Sequence, residues 1–123
     1  MSTEEKKIKK IFIIDNDKKY INLLSIILNK NNNHIIRGYD NGYEAINEFT
    51  LYRPDLIILD NDMPKINGIE LLKKFSNILY ESTVLVVSGN EESQKTFKDL
   101  GVHYFIPKPL HINTFLNTIN NLS

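Results

Sequence analysis

Three stretches of the chain are almost continuously apolar: Lys10 to Asp15 (KIFIID), Asp55 to Asp60 (DLIILD) and Thr83 to Ser88 (TVLVVS). A strand with one face in water alternates polar and apolar residues. Unbroken apolar strands therefore require a sheet covered on both faces, the signature of parallel strands joined by helices. Two weaker runs, His34 to Tyr39 and His103 to Ile106, bring the set to five. The first, third and fourth strands are expected in the middle of the sheet.

The segments between them carry helical spacing. Tyr20, Leu23, Leu24, Ile27 and Leu28 share one side of a first helix, and Ala45, Ile46, Phe49 and Tyr52 one side of a second. Leu71, Leu72, Phe75, Ile78 and Leu79 define a third, and Ile112, Phe115, Leu116, Ile119 and Leu122 the last. The fourth, Glu91 to Leu100, offers only Phe97 and Leu100 as strong apolar anchors, so its hold on the sheet is the weakest and it is the element expected to move. Asp17, Asn41 and Asn67 stand where helices begin, and Gly101 where the fourth one ends. Five strands alternating with five helices specify an open α/β sheet with right-handed crossovers and helices on both faces. Pro107 lacks a donor and suits a sheet edge, which favours the strand order 2-1-3-4-5.

Size and composition narrow the function. The chain has 123 residues, one domain's worth, with residues 1–8 read as an N-terminal tail. Lys+Arg and Asp+Glu both number 15, which gives no electrostatic reason to bind nucleic acid or an anionic membrane. The absence of cysteine excludes disulfides, thiolate metal sites and a cysteine nucleophile. Neither a signal-peptide core nor a membrane span is legible, so a cytoplasmic protein is expected.

Ligands of doubly wound sheets bind beyond the carboxyl ends of the strands. Here those ends carry Asp15-Asn16-Asp17, Asp60-Asn61-Asp62, Ser88-Gly89 and Lys108-Pro109. Each residue alone has an ordinary explanation: an Asp after a strand commonly caps the next helix, and a lone Ser or Lys is a loop hydroxyl or a solvated charge. Parallel strands, however, bring all four ends into one crevice. Crowded carboxylates call for a hard cation, and Mg²⁺ commonly joins one or two of them to a phosphate. A carboxylate flanked by a metal, an amine and a hydroxyl suits phosphoryl transfer, which depends on positioning and charge neutralisation. Asp60 is the better nucleophile, because the most apolar and most central strand carries it between Asp15 and the Ser88 and Lys108 side.

With those residues placed, the sequence resembles a response-regulator receiver domain of two-component signalling over almost its whole length. IFIIDND, DLIILDNDMPKING, VLVVSG and FIPKPL match the four motif blocks of that family in order and spacing. The resemblance implies a flavodoxin-like sheet with Asp60 as the phosphoacceptor, phosphorylated by a histidine kinase or a histidine phosphotransfer domain. It implies a Mg²⁺ site formed by Asp15, Asn16, Asp60 and the backbone carbonyl of Asp62. Ser88 becomes the switch hydroxyl, Lys108 the amine that pairs with the phosphoryl group, Phe105 the aromatic switch, and Lys108-Pro109 a cis bond. Small Gly89 leaves room for access, and the first helix, with Ile26 outside its apolar arc, becomes a docking surface for the donor. Such a protein is a phosphoacceptor that catalyses only its own phosphorylation and dephosphorylation. With no effector domain expected, it would act alone on a downstream protein target or pass the phosphate onward. Asn16 departs from the family, which usually has a second acid there; it keeps an oxygen for the metal but loses a charge. Asn67 replaces a common Asp and caps as well.

Two other classes remain open on sequence. Asp15-x-Asp17 and Asp60-x-Asp62 each resemble the first motif of haloacid-dehalogenase-type phosphatases, although no acidic motif follows Lys108. A receiver-like binding module without regulated phosphorylation is the other, supported by Asn16 alone.

Overall fold

The structure, a computed structural model, describes residues 9–30 and 33–122. The expected tail, residues 1–8, lies outside them. The elements run β1 (Lys10–Ile14), α1 (Lys18–Leu28), β2 (Ile35–Tyr39), α2 (Gly42–Tyr52), β3 (Leu56–Leu59), α3 (Gly68–Lys74), α4 (Ile78–Glu81), β4 (Thr83–Ser88), a 3₁₀ turn (Glu91–Ser93), α5 (Gln94–Asp99), β5 (Tyr104–Pro107) and α6 (Ile112–Asn121). All strand pairs are parallel, in the order β2-β1-β3-β4-β5, as the apolar runs and Pro107 indicated.

The continuous apolar runs divide by parity between two cores. Phe12, Ile14, Ile57, Leu59, Val84 and Val86 pack with residues of α2, α3, α4 and α5, including Phe49, Leu71 and Phe97. Ile11, Ile13, Leu56, Ile58, Leu85 and Val87 face the opposite way, onto Leu24, Leu28, Phe115 and Ile119 of α1 and α6. At about 25 cal/mol per Å² of apolar surface, this two-sided burial is the main stabilising force of the domain.

The capping residues behave as expected: Asp17, Asn41 and Asn67 accept from Lys19, Glu44 and Glu70 backbone N–H groups, and Asn67 with Glu70 closes a capping box. Gly101 follows α5 at φ 104°, a left-handed conformation that glycine adopts without strain.

Three expectations need correction. The third helix is broken: α3 ends at Lys74, and α4 restarts at Ile78. Ser76 and Asn77, both poor helix formers, fall in the gap, and buried Ile78 anchors the second piece. Ile112, in the first turn of α6, is 51% exposed rather than buried. Leu23 is also exposed. The α1 helix leans on β2 through Ile21, whose Cγ2 lies where a Cβ at Gly38 would be, 2.5 Å away.

Candidate functional site

Register decides which side chains meet. Ile14 pairs with Leu59, and Leu59 with Val86. The ladder continues one residue further, since Asp15 N–H donates to Tyr39 O (3.0 Å) and Asp60 N–H to Ile14 O (2.9 Å). Asp15 and Asp60 are thus neighbours at the ends of adjacent central strands. The period of two carries Asp15 onto the side of Ile11 and Ile13, and Asp60 onto that of Leu56 and Ile58. Both carboxylates therefore face the α1 and α6 layer, and both are buried, at 3% and 4% exposure.

Lys108 closes this corner. Its backbone N–H donates to Ser88 O at 2.9 Å, holding the segment after β5 against β4, and the bond to Pro109 is cis. The ammonium lies 3.0 Å from Asp15 Oδ2 and 3.9 Å from Asp60 Oδ1. Asp15 Oδ1 accepts the N–H of Asp17 at 2.9 Å, so both of its oxygens are engaged. Asp60 Oδ1 is buried without a hydrogen-bond partner. Burial first, and then the negative field of Asp15, push the Asp60 carboxyl up to about 6, against the pull of Lys108 and a backbone hydrogen bond from Asp62.

The remaining sequence candidates divide between the rim of this corner and the other side of the sheet. Asn16 and Asp62 are exposed at its rim. Ser88 is fully buried, and its parity with Val84 and Val86 places it on the other side of the sheet from the two acids. Its Oγ accepts from Asn90 N–H at 3.1 Å, so the hydroxyl is turned toward its own loop. Among the described residues the Ser88 side-chain hydroxyl has no hydrogen bond to Asp15, Asp60 or Lys108. Phe105 is half-buried against Phe97, with ring centroids 6.2 Å apart. A Cβ at Gly89 would meet nothing within 4 Å, so this position is open.

Two residues of the site were not singled out in the sequence. Asn61 is buried, and its Oδ1 accepts from Ile69 N–H at 3.1 Å, clamping the loop after β3 to the start of α3. A buried amide beside a candidate nucleophile is legible only once its partner is known. Tyr20 looked like one apolar position among five, yet its ring lies under the Lys108 ammonium, 4.2 Å from centroid to Nζ. Its hydroxyl is buried without a partner. Burial, with the fields of Asp15 and Asp60 added, pushes that phenol up to about 12.

The donor chemistry fits a magnesium ion. Two carboxylates, an amide oxygen and backbone carbonyls are all hard oxygen donors, and the orphaned Asp60 Oδ1 needs a partner. Among the described residues no three Asp, Glu or His side chains cluster for a metal, so two carboxylates are the site's acidic complement.

A model of the response regulator receiver domain matches residues 11–120. The response regulator GtcR of Aneurinibacillus migulanus is 33% identical over 104 residues, covering 84% of this chain and 43% of GtcR. The chain thus spans less than half the length of that relative. The crystal structure of the N-terminal domain of an uncharacterized protein from Wolinella succinogenes superimposes with a TM-score of 0.80 at 30% identity, over 94% of this chain and 93% of that one. The response regulator protein TrrA of Thermotoga maritima, solved in complex with Mg²⁺ and BeF, gives a TM-score of 0.83 at 21% identity, covering 94% and 100% of the two chains.

Proposed function

The chain belongs to the response regulator receiver domain family, and from that premise we propose that Asp60 accepts a phosphoryl group from the phosphohistidine of a histidine kinase or a histidine phosphotransfer domain. The observation that carries this reading is the buried, unpartnered Asp60 Oδ1 beside Asp15 and within 3.9 Å of the Lys108 ammonium. A carboxylate oxygen of Asp60 attacks phosphorus while the bond from phosphorus to the histidine nitrogen breaks. That nitrogen keeps the electron pair, and with the other ring nitrogen protonated the histidine leaves neutral. Asp60 must be ionised to attack.

A magnesium ion held by Asp15, Asp60 and the backbone carbonyl of Asp62, with the Asn16 amide at its flank, would neutralise charge on the transferring phosphoryl oxygens. The chain's own contributions are distinct. The β1 and β3 ends position the two acids, the Asp62 N–H steadies the Asp60 carboxylate, and Lys108 supplies a cation able to swing from Asp15 toward the phosphoryl group. Gly89 leaves the approach open.

The output follows from Ser88. An aspartyl phosphate carries roughly two negative charges, about one more than the carboxylate it replaces, and three strong acceptors. Ser88 meets them only by releasing Asn90 and drawing its loop inward, which shifts α5 and frees Phe105 to turn toward the space beneath it. The phosphoryl group favours that state differentially, so the change is a population shift. The altered face of α5, β5 and α6 then binds a downstream protein, or the phosphoryl group passes on. Ile26, 71% exposed on α1, suits the donor's docking surface. This chemistry makes the protein a signalling phosphoacceptor.

The test is transfer of label from a phosphorylated histidine phosphotransfer domain in the presence of Mg²⁺. Label moves to the wild-type protein and not to Asp60→Asn, whereas Ser88→Ala accepts label but loses the change at Phe105. Equal labelling of Asp60→Asn contradicts the assignment.

A further inference from the structure

Among the described residues, two side-chain oxygens are buried without a partner: Asp60 Oδ1 and the Tyr20 hydroxyl. They belong to the same corner, because one ammonium, that of Lys108, lies 3.9 Å from Asp60 Oδ1 and 4.2 Å from the centre of the Tyr20 ring. A buried hydroxyl that donates to nothing is costly, and it persists in a folded protein when something outside the unmodified chain completes it. Asp60 Oδ1 is an acceptor, and Tyr20 contributes an O–H donor.

We propose that Tyr20 is a phosphoryl-contacting residue: its hydroxyl donates to an oxygen of the phosphoryl group on Asp60, while its ring seats the Lys108 ammonium between the two acids. The proposal rests on the reading of Asp60 as phosphoacceptor and adds a donor that the motif residues do not include. The phenol keeps its proton at any working pH, so it acts as a fixed donor rather than a base. Its place in the first turn of α1, capped by Asp17, holds it at the carboxyl end of the sheet. The two parts of the side chain have separable roles. The ring sets the position of Lys108 in the unmodified protein, and the hydroxyl acts only when the phosphoryl group is present.

The experiment is a titration of Tyr20→Phe, Tyr20→Leu and wild-type protein with fluoroberyllate, a phosphoryl mimic, at saturating Mg²⁺, read by ¹⁹F NMR. The phenylalanine variant keeps the ring beneath Lys108 and loses only the hydroxyl. It should bind fluoroberyllate about tenfold more weakly than wild type, as the loss of one hydrogen bond to a charged group implies. Its metal-free melting temperature should be unchanged or higher, because an unpartnered buried hydroxyl has been removed. The leucine variant should lose affinity further through the freed Lys108. Equal fluoroberyllate affinity in Tyr20→Phe and wild type overturns the proposal and leaves Asp60 as phosphoacceptor. A wild-type protein that takes up neither fluoroberyllate nor a phosphoryl group overturns both.

Discussion

Lys108 is paired with Asp15, at 3.0 Å, and only approaches Asp60, at 3.9 Å. In the unmodified protein the amine therefore neutralises the carboxylate beside the nucleophile and leaves one oxygen of the nucleophile unpartnered. This asymmetry follows from Asp15 using its other oxygen to bind Asp17 N–H, which fixes the carboxylate in line with Lys108.

Lys108→Met should leave two buried carboxylates with no cation between them. With the lysine side chain 25% exposed, the loss should be about 1–3 kcal/mol, less than for a fully buried pair. Urea unfolding in EDTA measures it. Added Mg²⁺ should raise the melting temperature of the variant more than that of the wild type, because the metal replaces the missing charge. Equal stability with and without the lysine contradicts the pairing.

Asp60→Asn should stabilise the metal-free protein at neutral pH. The folded carboxyl sits at about 6 against an ordinary 3.8. The stability gained by protonating it is therefore complete below about 3.8 and lost as pH rises through about 6. At pH 8 the wild type carries a buried charge that the amide lacks, worth about 5 °C in melting temperature. The gap should close as pH falls toward 4. A gap that stays constant with pH contradicts the raised value.

Asn16→Asp should tighten Mg²⁺ binding. The exposed amide offers one neutral oxygen at the rim, and a carboxylate there adds a charge about 1 kcal/mol more favourable to a cation nearby. Calorimetric titration should show roughly a fivefold gain, most of it lost in high salt. Unchanged affinity places the metal away from position 16.

Gly68→Ala should disturb the site from behind. The added Cβ meets Asp60 O and Asn61 Cα, both backbone, at 3.1 Å, so the loop carrying the nucleophile must shift. A stability loss of about 1–3 kcal/mol is expected, with slower phosphorylation and little change in helix content. Circular dichroism with a phosphodonor assay separates these effects.

The sheet was legible because its strands are apolar on both faces, a pattern that leaves few architectures, and Pro107 fixed an edge. The corner was legible for the same reason: Asp15, Asp60 and Lys108 end strands whose register aligns them. What sequence hid was directional. Nothing in a helical repeat distinguishes Tyr20, whose ring lies under the Lys108 ammonium, from Tyr52, which stacks on Arg37. The break at Ser76 and Asn77 was hidden by a repeat that continues in phase across it, and the turn of Ser88 toward Asn90 depends on loop geometry alone.

The most direct test of Asp60 as phosphoacceptor is to incubate the protein with a small phosphodonor and Mg²⁺, trap the adduct with borohydride, and map the reduced residue by peptide mass. The account predicts one labile phosphoryl group on the intact protein, reduction confined to position 60, and neither signal in Asp60→Asn. No adduct on the wild type, or an adduct that persists in Asp60→Asn, contradicts it.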